Sequence, residues 1–177
     1  LLFSYNELFI YALMGVAIGL SSSFFTKLHF SIEKKFENTF TDQKIRPLVG
    51  GILLGLIAFI PFGIGLDVLG NGHETIRKAF SHEYGLWIVL AILLVKPIAT
   101  SITLSSGWPG GIFAPAIFLG ALCGYLFGFG VETIFYSDLV NPGDLSTSYA
   151  IVGMGTFLAA MTQAPLTSIF FTFELTG

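Results

Sequence analysis

Long uncharged runs separated by short polar segments set the pattern of this chain. The runs are residues 8–26, 47–66, 84–95, 97–131 and 145–173. Apolar and polar positions do not alternate with period two along them, as the strands of a membrane barrel would require, so the runs read as helices. One helical crossing of a bilayer takes ~20 apolar residues. The run at 84–95 continues past Lys96 into 97–131, and that run and the last one are each longer than one crossing. Both are interrupted, the first at Pro109 to Pro115 and the other at Gln163-Ala164-Pro165. Proline has no N–H and clashes with the turn before it, so each long run is expected to fold as two helices that meet inside the membrane.

The first interruption carries the most chemistry. Residues 105–120 read SSGWPGGIFAPAIFLG. A helix that starts partway through a membrane leaves its first N–H groups without carbonyl partners, and hydrocarbon cannot supply any. Those donors and the positive end of the helix dipole favour an anion. Gly110 and Gly111 have no side chains to keep an ion from the backbone. Pro115 falls in the first turn of the following helix, where a missing N–H costs nothing. A neutral site built from dipoles also binds weakly enough to let the ion leave. On the residues alone, a glycine/proline hinge in a transmembrane helix accounts for the run equally well.

Composition narrows the classes. Hydrophobic residues make up 54% of the 177 positions and charged residues 11%, against ~25% charged in a typical soluble domain. The 19 Phe and 21 Gly suit lipid-facing aromatics and close helix contacts. No basic stripe is present, so nucleic acid is not an expected partner. Cys123 stands alone, which excludes an intrachain disulfide and a cysteine metal cluster; its expected role is packing. His73-Glu74 and His82-Glu83 lack the HExxH spacing that sets two imidazoles on one helix face, and they read as loop residues. No metal or cofactor is expected, and no grouping of Ser, His and acid suggests an enzyme. An intramembrane hydrolase needs a nucleophile and base at membrane depth, whereas His29, His73 and His82 all fall outside the long runs. A secondary transporter with broken helices around an organic substrate is the other alternative, and it calls for a buried acidic or polar cluster.

Charge gives an orientation. Lys27, Lys34, Lys35, Lys44 and Arg46 place the segment between the first two runs on the cytoplasmic side, with 67–83 opposite. Residues 132–144 read as a loop with a turn at Asn141-Pro142-Gly143. Lys96 is costly in lipid and is expected to snorkel to an interface; Glu174 is expected as a helix-end carboxylate at the surface. Gly15 and Gly19, Gly51 and Gly55, and Gly120, Gly124 and Gly128 each share a helix face by their four-residue spacing. Intramolecular packing is the simpler reading of these pairs, and a subunit interface the alternative. The chain opens at Leu1 with no signal-peptide pattern and stops directly after an apolar run, so it is expected to be a fragment of a longer protein.

GGIFAPAIFLGALCG, residues 110–124, resembles the GxFxP region of the CLC chloride channels and chloride/proton exchangers. YAIVGMGTFLAAMTQAPLTSIFFTFELTG, residues 149–177, is similar to the broken helices that follow it in that family. The preceding elements match in order: a long helix with a basic end at 5–38, a GG-containing helix at 47–61, and a short helix after GNGHETI. The resemblance covers essentially the whole chain, as most of the second of two inverted halves. It implies an all-α integral membrane protein of CLC-like inverted-repeat architecture, with broken, tilted helices. Residues 1–177 would then be a single membrane domain, a partial chain of a CLC-like transmembrane domain. It also implies a multi-pass homodimer in the lipid bilayer of the cell membrane, with one anion pathway per subunit. The transported ion would be chloride, moved by a voltage-gated-type channel or a chloride/proton antiporter. The family places its anion-binding amides on the two residues after the glycines, here Ile112 and Phe113, with Gly110, Gly111 and Pro115 as the supporting loop. Ser105 and Ser106 stay outside this site, because serines in membrane helices mostly bond their own backbone. Trp108 stands where the family has small residues. The family's serine-bearing selectivity loop and gating glutamate would precede Leu1, and its inner tyrosine would follow Gly177.

Overall fold

The computed structural model describes residues 5–61, 64–70, 72–81, 83–135 and 144–176, so the turn expected at Asn141-Pro142-Gly143 and the loop position expected for His82 lie outside it. Among the described residues there are eight helices and no strand: α1 (Tyr5–Thr39), α2 (Ile45–Ala58), α3 (Ile64–Leu69), α4 (His73–Phe80), α5 (Leu86–Ser105), α6 (Phe113–Phe135), α7 (Asp144–Thr162) and α8 (Pro165–Thr176). Four of them are long and apolar enough to cross a membrane: residues Leu8–Thr39, Leu86–Ser105, Phe113–Ile134 and Leu145–Thr162. The chain is therefore an integral, multi-pass membrane protein.

Helix α1 shows how such helices are built. Met14, Ile18, Ser22 and Phe25 are buried along one stripe, while Val16, Leu20 and Phe24 on the opposite side are exposed. Both faces are apolar, which suits a helix packed against protein on one side and hydrocarbon on the other. The buried stripe meets α7: Tyr11 stacks on Tyr149 with ring centroids 4.6 Å apart, and the Ser22 hydroxyl donates to the Phe157 carbonyl at 3.4 Å. Lys27, Lys34 and Lys35 continue the same helix beyond its apolar part, as the expected long helix with a basic end.

Both expected breaks are present. Helices α5 and α6 are separated by residues 106–112, and α7 gives way to α8 at Gln163-Ala164. Gln163 takes a left-handed φ of 56°, the only non-glycine among the described residues to do so, which turns the chain so that Pro165 can open α8. The run at 47–66 differs from expectation. Helix α2 stops at Ala58, short of Pro61, and a separate short helix, α3, takes up Ile64–Leu69. A proline disfavours helical geometry in the residue before it and cannot donate into the preceding turn.

The core lies between α1, α5, α6 and α7, with Ile18, Phe25, Ile92, Phe118, Leu122 and Phe157 among its buried residues. Helices α6 and α7 form its tightest seam. A methyl built on Gly120 would strike the Gly153 carbonyl, one on Gly124 the Tyr149 carbonyl, and one on Gly128 the Cα of Ser146. The row Gly120, Gly124, Gly128 thus packs within the chain. Gly15, Gly19, Gly51 and Gly55 meet nothing within 4 Å. Cys123 is half-buried in α6 as a packing residue, and Glu174 is exposed near the end of α8.

Candidate functional site: the start of helix α6

The loop between α5 and α6 is fixed at several points. Helix α5 closes with Ser106 N–H donating to the Ile102 carbonyl at 3.0 Å and Gly107 N–H to the Leu104 carbonyl at 3.1 Å. Gly107 has φ of 85°, the left-handed conformation that ends helices and that glycine adopts without a Cβ penalty. Helix α2 then braces the loop. Gly50 lies so close to Ser106 that a methyl on it would overlap that side chain, and the Trp108 indole N–H donates to the Pro47 carbonyl at 3.1 Å. The tryptophan that departs from the family's small residues is therefore a tie between loop and α2.

Beyond this brace the backbone is open. Gly110 and Gly111 are exposed; a methyl on Gly111 would meet nothing within 4 Å, and one on Gly110 only the Leu104 Cδ2 at 3.2 Å. Helix α6 begins at Phe113, and its first internal bond runs from the Ala116 N–H to the Ile112 carbonyl at 3.1 Å. Among the described residues, no hydrogen bond begins at the N–H of Ile112 or Phe113. Pro115 sits in this first turn, where it removes a donor that the helix would not have used. All five site residues expected from the sequence thus lie on one short stretch at the α6 N-terminus. Phe113 is 56% exposed, so its side chain is not part of the buried core.

A cavity of about 350 Å³ adjoins the loop, with Gly110, Gly111 and Pro115 along one side and Thr100, Thr103 and Lys96 of α5 along another. Lys96 corrects the expectation that it snorkels. It is 5% exposed, and its ammonium donates to the carbonyls of Val68 and Gly70, both at 2.6 Å. It lies midway along α5, about 14–15 Å from either end at 1.5 Å per residue, farther than a lysine side chain reaches. The carbonyls at the end of α3 are the acceptors within range. Sequence reasoning missed this residue as part of the site, since its acceptors lie far away in the chain.

The neighbouring serines divide. Ser106 Oγ donates to the Thr103 carbonyl at 2.9 Å, as expected, whereas the buried Ser105 Oγ has no partner among the described residues. Both line a different cavity, with Glu33, Glu37 and Arg46, and not the one beside the glycine pair. No group of His, Cys, Asp and Glu suited to a metal occurs among the described residues, and the side chain of His73 is not described.

Comparison with known proteins gives a consistent picture. The family described as "Voltage gated chloride channel" matches residues 1–177. A ClcB-like chloride channel protein of Ralstonia nicotianae is 35% identical over 172 residues, covering 96% of this chain and 38% of the relative. The H(+)/Cl(-) exchange transporter ClcA of Vibrio campbellii is 31% identical over 177 residues, covering 97% and 36%. That of Citrobacter koseri is 33% identical over 173 residues, covering 97% and 35%. The chain therefore spans little more than a third of the length of these relatives.

Proposed function

The chain belongs to the voltage-gated chloride channel family, and from that premise we propose that it supplies part of a chloride pathway, with the ion held by the backbone at the start of α6. The observation that carries this reading is the pair of amides at Ile112 and Phe113, which have no described acceptor and follow glycines that open onto free space. Each N–H is a charge-neutral donor, so several of them replace part of the hydration shell of an anion without trapping it. The helix dipole adds a partial positive charge at the same end. Gly110 and Gly111 keep side chains out of the approach, and Pro115 preorganises the first turn.

The relatives named above carry both channel and exchanger names, and the reading concerns what the two have in common, the passage of chloride. Membership of the family removes the unrelated secondary transporter from consideration. The role is transport, with chloride and the lipid bilayer as partners and with no chemical step on a substrate. We also read the 177 residues as one membrane domain working in a homodimer, with the basic end of α1 facing the cytoplasm.

Crystals of the full-length protein grown in bromide test the proposal. An anomalous peak is expected within hydrogen-bond reach of the nitrogens of Ile112 and Phe113, at about 3.3 Å, longer than an N–H···O bond. Bromide bound elsewhere along the pathway, with none at these nitrogens, overturns the assignment.

A further inference from the structure

Lys96 has a charge that its local contacts do not require. A neutral donor would satisfy the carbonyls of Val68 and Gly70, yet the residue here is an ammonium buried in a membrane-spanning helix, a costly arrangement in lipid. The Phe118 ring, 5.1 Å from Nζ at its centroid, offers a cation–π contact that offsets part of that cost. No carboxylate among the described residues pairs with it; the ion pairs are Arg77–Glu74 and Lys78–Asp67. Among the described residues the charge therefore has no counter-ion. It lines the cavity that Gly110 and Gly111 also line, and no other residue lining that cavity is charged.

The ammonium is also held in place. Its acceptors belong to the end of α3 and the turn after it, and that turn is wedged against α6. Gly72, with φ of 89°, lies so close to the Phe118 ring that a methyl there would overlap it. Lys96, Gly70, Gly72 and Phe118 form one fixed unit. A fixed cation in a wall of low dielectric acts on the adjoining cavity far more strongly than a solvated one.

We propose that Lys96 is an electrostatic specificity residue of the anion path: its charge, clamped by the α3 carbonyls, concentrates anions in the cavity that leads to the α6 N-terminus. It is not a ligand of the ion at Ile112 and Phe113. The proposal rests on the chloride pathway argued above and adds to it a charged residue outside the glycine motif.

The test is the chloride dependence of flux by the full-length protein in liposomes. Lys96→Gln keeps a donor for one carbonyl and removes the charge. It should raise the half-saturating chloride concentration about threefold or more, with flux at saturating chloride largely retained. Lys96→Arg keeps the charge and should stay within about twofold of the parent. A folded Lys96→Gln protein with unchanged half-saturation overturns the proposal. If that variant does not fold, the charge is read with Lys96 in place, through Thr103→Cys in a Cys123→Ala background. A small anionic thiosulfonate should then modify the cavity faster than a cationic one of equal size, and equal or reversed rates overturn the proposal. A parent protein that carries no chloride removes the pathway reading and this proposal together. A parent that carries chloride with a Gln variant that behaves identically removes this proposal alone.

Discussion

Around helix α6, glycine occurs in two settings that make opposite demands. Gly120, Gly124 and Gly128 lie where α7 presses its backbone against α6, so any side chain would enter space already filled. Gly110 and Gly111, just before the helix, face a cavity, where a methyl on Gly111 would meet nothing within 4 Å and one on Gly110 only the tip of the Leu104 side chain at 3.2 Å. The first set lets protein in, and the second keeps protein out. Four-residue spacing marks the packing set, because it returns to one helix face. An adjacent pair cannot share a face, so it has to be explained by what approaches the backbone.

Substitutions separate the two settings. Gly124→Val should cost about 3 kcal/mol or more, since the atoms it meets are the Tyr149 carbonyl and, at 2.9 Å, the Cα of Ala150, which are backbone and move only with the whole of α7. The readout is the melting temperature in detergent, followed by size-exclusion chromatography of the heated protein. A variant that melts like the parent would show that the seam is looser than drawn. Gly111→Leu should do the reverse. Its side chain meets nothing within 4 Å and its φ is not left-handed, so melting should shift by no more than about 0.5 kcal/mol. Chloride flux should fall about tenfold or more, because the side chain stands in the ion's approach. A Leu variant with normal flux would leave the adjacent pair with only a hinge role.

How much of this was legible in the sequence differs from element to element, for physical reasons. The breaks before α6 and α8 were visible because proline and paired glycine act locally. Helix α3 was not, since Ile64–Leu69 lies within an apolar run where composition does not distinguish a continued helix from a new one. The destination of Lys96 was also hidden, as its acceptors are 28 and 26 residues away and only the tertiary fold brings them within 2.6 Å. Trp108 is a similar case, its partner at Pro47 being 61 residues distant. The residue pattern alone left the start of α6 as an anion site or a glycine/proline hinge on equal terms, and the two particular amides came through the family resemblance. The glycine rows show the limit of a spacing rule: one of the three packs within the chain, and the other two meet nothing.

Smaller effects sharpen the comparison. Gly107 belongs to neither setting: a methyl on it meets nothing within 4 Å, yet its φ of 85° is unfavourable for any residue with a Cβ. Gly107→Ala should therefore cost about 1–2 kcal/mol in melting through backbone strain alone. It should lower flux only as far as the loop shifts.

Gly51 gives the smallest effect and the clearest sign. It lies inside α2, exposed, with helical φ and nothing within 4 Å of an added methyl. Glycine in a helix interior is about 0.8–1 kcal/mol less favourable than alanine, so Gly51→Ala should stabilise the protein by up to about that amount if the face meets lipid. A methyl is small beside a lipid chain, which rearranges around it, but it is large beside a second backbone packed as closely as α7 is on α6. The same substitution would then lower the melting temperature and weaken self-association. Melting and oligomeric state measured together on Gly51→Ala decide between these. The expected result is a slightly raised melting temperature with an unchanged oligomer. A destabilised, dissociating variant would make Gly51 and Gly55 a packing row like the one on α6, with the partner helix supplied by another subunit.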